Sequence, residues 1–248
     1  MGFGAVFVNR LRTRDDIAIR PGDYIRLHPT PKRFPVGKYN WRNRILAEEE
    51  DYLIVDKPPG IPTHATLDNA EENLVVQMSR ALGQPLWVTH RLDIPAQGLV
   101  CLAKTKTFQA WFNKMLRKRR VRKIYRVLSE QPVPCGLHLA HQDPSPRAPK
   151  KMSESPTEGW LECSLTVLKV KPHLLGYETE IELHTGRTHQ IRAQMALLGA
   201  PVLNDLLYGG KKMDWPEEEI SLQACEIEFR DFQYKATSTL PSSVTQAR

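Results

Sequence analysis

The stretch His90-Arg91-Leu92-Asp93 sets two bases and one acid in four consecutive positions, ahead of the apolar run Leu99 to Ala103. Taken alone, Arg91 and Asp93 read first as an ion pair that fixes a loop. The second reading is a carboxylate held ionised by a neighbouring cation and available as nucleophile or base. Ile94-Pro95 keeps the segment out of a helix, and Gly98 leaves room for another backbone to approach closely. A kinase catalytic loop is excluded, because no DFG, Gly-rich loop or VAIK lysine accompanies the HRLD stretch.

Two further places carry side chains that could act. Tyr125 alternates with Lys123 and Val127 on a strand pattern, where a half-buried tyrosine usually belongs to the core and keeps a wet hydroxyl. Arg187 and His189 stand at the start of a helical pattern, where a base is mildly unfavourable for the dipole. Arg192 follows the core residue Ile191 by one position, about 100° around that helix. A guanidinium at the border of a core wants a carboxylate or phosphate partner.

The elements that must hold these groups follow from periodicity. "YLIVDK" reads as a strand stopped by Pro58-Pro59-Gly60. A helix is expected from a cap at Asn69 to Gly83, and a strand over "GLVCLAK". A second helix runs from about Thr107 with Arg117 to Arg120 in its last turn, and the strand "VRKIYRVL" follows. Residues 140–158 are turn formers and charges and read as a mobile loop. "LECSLTVLKV" and "YETEIELH" are strands, the latter alternating Tyr177, Thr179, Ile181 and Leu183 with Glu178, Glu180, Glu182 and His184. A last helix covers "GRTHQIRAQMALLGAP", ended by Gly199 and Pro201. The fold class expected is α+β, with a mixed, largely antiparallel central sheet and flanking helices.

The 248 residues divide into a basic segment over 1–30, a proline-rich linker over 31–44, a catalytic domain over 45–235 and a flexible tail over 236–248. A chain cut near Asn40 is expected to keep its whole core. The first 44 residues hold ten Lys or Arg and three Asp, which is the entire excess of +7, whereas the rest is balanced at 25 bases and 25 acids. That asymmetry points to a polyanionic partner, most simply nucleic acid. No apolar window is long enough for a membrane span, and the apolar stretch at the N-terminus is too short for a signal peptide, so a cytoplasmic protein is expected. The four cysteines never form a CxxC pair, so neither a zinc site nor a disulfide framework is expected.

Taken in order, "DYLIVDKPPGIPTH", "HRLD" with Gly98-Leu99, "KIY", "TGRTHQIR", "PVLNDLLYG" and "LQACEIEF" resemble the pattern of the RluA-type RNA pseudouridine synthases over about residues 45–232. Residues 3–28 resemble the second half of an alpha-L-type RNA-binding domain, without its usual N-terminal helices. The resemblance implies isomerisation of specific uridines in structured RNA, rRNA or tRNA, by base flipping, with no cofactor or metal and with the protein acting as a monomer. It makes Asp93 the nucleophile, Arg91 the side chain that fills the stack left by the flipped uridine, Tyr125 the group packed on the uracil, and Arg192 the partner of Asp93. His90, Leu92, Lys123, Arg187, His189 and Gln190 complete the implied substrate-binding set. The chain departs from the pattern at Ala96-Gln97, where Thr-Ser is common, and at Asn204, where glycine is usual; residues 140–160 match poorly. Two alternatives share parts of this reading: a non-catalytic RNA-binding protein on the same scaffold, for which Asp93 would be unnecessary, and a nucleoside hydrolase, which has no use for the basic first segment.

Overall fold

The computed structural model describes residues 2–240. Strands β1 (Val6–Val8), β2 (Leu11–Thr13) and β3 (Ile25–Leu27) form a small antiparallel sheet in the order β2-β1-β3. Asn9 and Arg10 both take positive φ in the two-residue turn between β1 and β2, a geometry that matches the twist of a hairpin.

The proline-rich stretch is not a free tether. Phe34 and Trp41 are buried in the main core. Arg33 clasps the Glu72 carboxylate, which also accepts the Phe34 N–H at 2.8 Å. Asn69 donates to the Lys32 carbonyl, and Arg14 pairs with Glu71. Pro29, Pro31 and Pro35 keep the segment out of a long helix or strand but do not stop it from burying side chains, and the buried Glu72 needs donors that this strap supplies.

The large sheet has eleven strands. They are β4 (Ile45–Glu48), β5 (Tyr52–Lys57), β6 (Trp87–Val88), β7 (Gln97–Ala103), β8 (Arg122–Ser129), β9 (Gly136–Gln142), β10 (Met152–Ser153), β11 (Leu161–His173), β12 (Gly176–Leu183), β13 (Leu222–Phe229) and β14 (Phe232–Lys235). Their order is β10-β9-β11-β12-β8-β13-β7-β5-β4, with β14 on β13 and β6 on β7. Among the described strands only β7 and β13 run parallel, so the α+β, largely antiparallel expectation holds. Gly98 makes that parallel pair possible: a Cβ there would lie 2.3 Å from the Ala224 carbonyl oxygen.

Among the described residues three α-helices cover the sheet: α1 (Leu74–Leu82), α2 (Lys106–Arg117) and α3 (Gln190–Leu197). Leu74 and Met78 of α1 and Ile191 and Met195 of α3 join Leu53, Val55, Val100 and Leu102 on one face. Phe108 and Phe112 of α2 join Ile54, Leu99 and Cys101 on the other. Central strands β5 and β7 are thus buried on both faces, which is why they read as continuous apolar runs.

Boundaries differ from expectation for local reasons. Asn73, not Asn69, caps α1 by accepting the Val76 N–H; Asn69 accepts the Glu71 and Glu72 N–H groups in the preceding turn. Helix α2 ends at Arg117 because Arg119 turns left-handed at φ 55, leaving Arg119 and Arg120 beyond it. Helix α3 begins only at Gln190, after left-handed His189. Residues 140–142 and 152–153 are strand, not loop. The expected frayed tail is packed as far as Leu240: Gln97 and Gln223 donate to the Thr239 and Ser238 carbonyls, and Leu240 is buried against Leu128 and Leu203. Residues 241–248 lie outside the described part. No helix among the described residues is long and apolar enough to cross a membrane.

Candidate active site

A cleft of about 700 Å³ opens between the loop joining β6 to β7, strand β8, and the turn ahead of α3. The HRLD loop is pinned at alternate residues. His90 Nε2 accepts the Cys101 N–H at 3.1 Å, and its ring stacks on Phe112. Leu92 exchanges two hydrogen bonds with the Thr63 hydroxyl and is buried in the core. The Ile94 carbonyl accepts from Lys57 Nζ. Between these anchors Arg91 and Asp93 keep their charged ends for the cleft, which they line.

His90 and Leu92, expected to bind substrate, line the cleft and also fasten the loop. Burial, with the charge of Lys123, pulls the His90 imidazole down to about 3, so it is neutral and can accept the Cys101 N–H. Sequence reasoning missed Lys57. Its ammonium is fully buried and donates to the carbonyls of Pro58, Ile61 and Ile94. Burial pulls the amine down to about 7 against the charges of Asp93 and Asp56; three acceptors, one per N–H, match the protonated form. The only signal was a lysine ending an otherwise buried strand.

Arg192 and Asp93 are brought together, but as a minor pair. The guanidinium clasps Asp205 bidentately, Nε to Oδ2 at 2.6 Å and Nη2 to Oδ1 at 2.7 Å, and reaches Asp93 Oδ2 with Nη1 at 3.5 Å. Asp205 is 1% exposed and Asp93 18% at the side chain. Burial opposes the charge on Arg192, yet hydrogen bonding and attraction from Asp205, then from Asp93, raise its pKa. Asp205 is the second residue missed; it lay unassigned in "PVLNDLLYG". Asn204 takes φ 64, the conformation that explains why glycine is usual there. Its amide donates to the Pro216 and Glu219 carbonyls and accepts the Met213 N–H, so it staples the loop behind Asp205.

Tyr125 lies on β8 and lines the cleft, 5% exposed. Burial, then the negative charge of Asp93, raises its pKa, so the phenol keeps its proton. Lys123 lines the same wall; burial lowers it to about 8, and no carboxylate pairs with it among the described residues. Arg187 lies exposed on the opposite turn, and Arg91 donates to the Thr188 hydroxyl across the cleft. His189 meets the Tyr208 hydroxyl through Nδ1 at 3.0 Å. Gln190 is used internally: it accepts from the Thr185 hydroxyl and the Arg187 N–H and donates to the Ser164 carbonyl. Nine of the ten expected site residues line the cleft and Arg192 backs it; His90, Leu92 and Gln190 also spend polar groups or bulk on the scaffold.

Residues 51–197 match the RNA pseudouridylate synthase family. The chain belongs to it. A rice protein named RNA pseudouridine synthase 6, chloroplastic, is 37% identical over 214 residues, which is 77% of this chain and 45% of that protein. The chain thus spans under half the length of that relative. An Aquifex aeolicus protein named as an uncharacterised RNA pseudouridine synthase is 32% identical, covering 88% of this chain and 73% of its own length. The solved human RNA pseudouridylate synthase domain containing 4 shares the fold, with a TM-score of 0.65 over 81% of this chain and 90% of its own, at 19% identity. These findings bear out the resemblance, and the cleft-lining residues from Thr89 to Ile191 fall within the matched span. Asp205 lies beyond it.

Proposed function

We propose that this chain converts uridines in structured RNA, rRNA or tRNA, to pseudouridine, with Asp93 acting on a uridine flipped into the cleft. The carrying observation is the Asp93 carboxylate itself, set on a loop pinned on both sides, at the cleft surface, with Arg192 behind it and Tyr125 beside it. The reaction breaks the bond from ribose C1′ to uracil N1 and forms one from C1′ to C5; the C5 proton leaves and N1 ends protonated. Nothing is oxidised or reduced, so the chemistry needs only nucleophilic assistance, orientation and proton transfer.

Flipping the uridine costs a few kcal/mol, least in a loop. Arg91, exposed beside Asp93, is the side chain available to fill the vacated stack, and its contact with Thr188 is one it must release. Arg192 sets a cation 3.5 Å from Asp93 in a site that substrate closes to water. Tyr125 offers a ring for the uracil and a protonated hydroxyl for relaying the C5 proton. A free phenolate base is disfavoured by the raised pKa. Lys123, Arg187 and His189 supply the cationic and donor groups for the flanking phosphates and the base edge. The reading includes a monomer in the cytoplasm; four free cysteines, three of them buried, suit a reducing compartment.

Mapping pseudouridine in total RNA with and without the gene tests this. Sites that vanish without the gene should return with wild-type protein and not with Asp93→Asn or Tyr125→Phe protein that melts and binds RNA normally. Restoration by Asp93→Asn would refute the role given to the carboxylate.

A further inference from the structure

Residues 117–123 place six bases in seven positions. A run of this kind on a helix would be a solvated face, but here the chain reverses direction inside it. Helix α2 ends at Arg117, Arg119 is left-handed at φ 55, and β8 starts at Arg122. The reversal distributes the side chains. Arg117 and Arg119 line the catalytic cleft; Arg119 and Arg120 line a second cavity of about 270 Å³; Lys118 lines neither. The two cavities share Leu116, Arg119, Lys123, Leu183 and His184 in their linings, so they lie side by side along one face.

Charge pairing separates these bases further. Arg122 is consumed by Glu182 at 3.2 Å, Glu226 at 3.1 Å and Glu228 at 3.7 Å. Arg119 reaches only Glu162 at 3.5 Å, with both ends 59% exposed, a contact of little strength in water. Arg120 and Lys123 have no carboxylate partner among the described residues. Lys123 is a half-buried cation in the wall between two cavities, where solvation is poor and an anion is the missing complement.

We propose that the RNA strand on one side of the target uridine leaves the cleft past Lys123 and lies in this second cavity, its phosphates held by Lys123, Arg119 and Arg120. The assignment rests on the RNA reading above and adds to it a path. It also moves part of the electrostatic grip from the basic first segment to the catalytic domain: Glu182 and Glu228 also line the second cavity, but Arg122 pairs with both and leaves Arg119, Arg120 and Lys123 as its unmatched cations.

The test is binding of a fluorescent single-stranded oligouridylate at several salt concentrations, in the Asp93→Asn protein so that nothing turns over. Each single-strand phosphate contact contributes about 0.7 to the slope of log affinity against log salt, so Arg119→Gln with Arg120→Gln should lower the slope by about 1.4. Lys114→Gln with Lys118→Gln removes the same charge from exposed positions outside both cavities and should leave the slope near its starting value. Equal losses in the two double variants, an unchanged slope in the first, or no salt-dependent binding at all would overturn the groove. Wild-type protein that shows these slopes but forms no pseudouridine would refute the isomerase reading and leave the groove standing.

Discussion

Replacing Arg192 by methionine keeps an unbranched apolar stem and removes the cation from a pair whose ends are 6% and 1% exposed. The bidentate clasp leaves Asp205 as the uncompensated charge, not Asp93. Breaking one partner of such a buried pair costs about 3–5 kcal/mol. At about 2–4 °C of melting temperature per kcal/mol for a chain of this size, the expected fall is roughly 6–20 °C. Asp205→Asn should lose a similar amount by stranding the guanidinium. Asp93→Asn should cost under about 1 kcal/mol, because its contact is 3.5 Å long and its side chain is partly in water. Urea titrations of the three variants, read at the midpoint with the slope unchanged, give the comparison directly. Combining Arg192→Met with Asp205→Leu should recover much of the loss, since apolar replacement of both partners removes the stranded charge. The reasoning is refuted if Arg192→Met unfolds within 1 kcal/mol of wild type, or if Asp93→Asn costs as much as Asp205→Asn.

Three other outcomes follow from contacts already described. His90 titrates near 6.5 when unfolded and near 3 when folded, so the unfolded chain binds the extra proton between those values and stability falls as pH drops through that window; His90→Gln, which keeps an acceptor for the Cys101 N–H, should show a shallower fall by up to about 1.4 kcal/mol per pH unit in acid-dependent melting. A chain starting at Thr30 should melt close to full length, whereas one starting at Asn40 should be destabilised or aggregate, because it lacks Phe34, worth about 1.5–3 kcal/mol of burial, and the Arg33 partner of Glu72; equal melting of the two chains would show that the strap is dispensable. The double change Ala96→Thr with Gln97→Ser should lose about 0.5–1.5 kcal/mol with the Thr239 hydrogen bond yet keep pseudouridine formation, and an inactive, folded variant would mean that this loop positions Asp93 by a route other than Gly98 and the Lys57 anchor.

Periodicity located β5, β7, β8, β11, β12 and all three helices, because each carries an apolar repeat that a packed sheet must bury. It failed on β9, whose Leu137 and Leu139 face water beside His138 and His141 and whose pattern resembles a loop. It failed on the strap over residues 32–41, since prolines look the same in a tether and in a docked segment. What distinguishes them is the buried Glu72, thirty and more residues later, and its need for donors is invisible without the fold.

The same limit governs the site. Arg91 and Asp93 could be singled out because their charge is local, and Arg192 because its helical angle demanded a partner; which carboxylate met it depended on a turn thirteen residues downstream. Once Asp205 is in place the arrangement has a direction. Asp205 and Arg192 form the tight buried pair, Asn204 and Gly210 hold its loop, and only one guanidinium nitrogen is left over for Asp93. From the other side, His90, Leu92 and Lys57 fix the backbone on which Asp93 stands. The nucleophilic role proposed for Asp93 requires a carboxylate whose lone pairs are not all engaged, and a single long contact to an arginine already satisfied by Asp205 leaves them free. The alternation in the HRLD stretch serves the same end: its even-numbered positions spend their polar groups or bulk on the scaffold so that the odd-numbered ones need not.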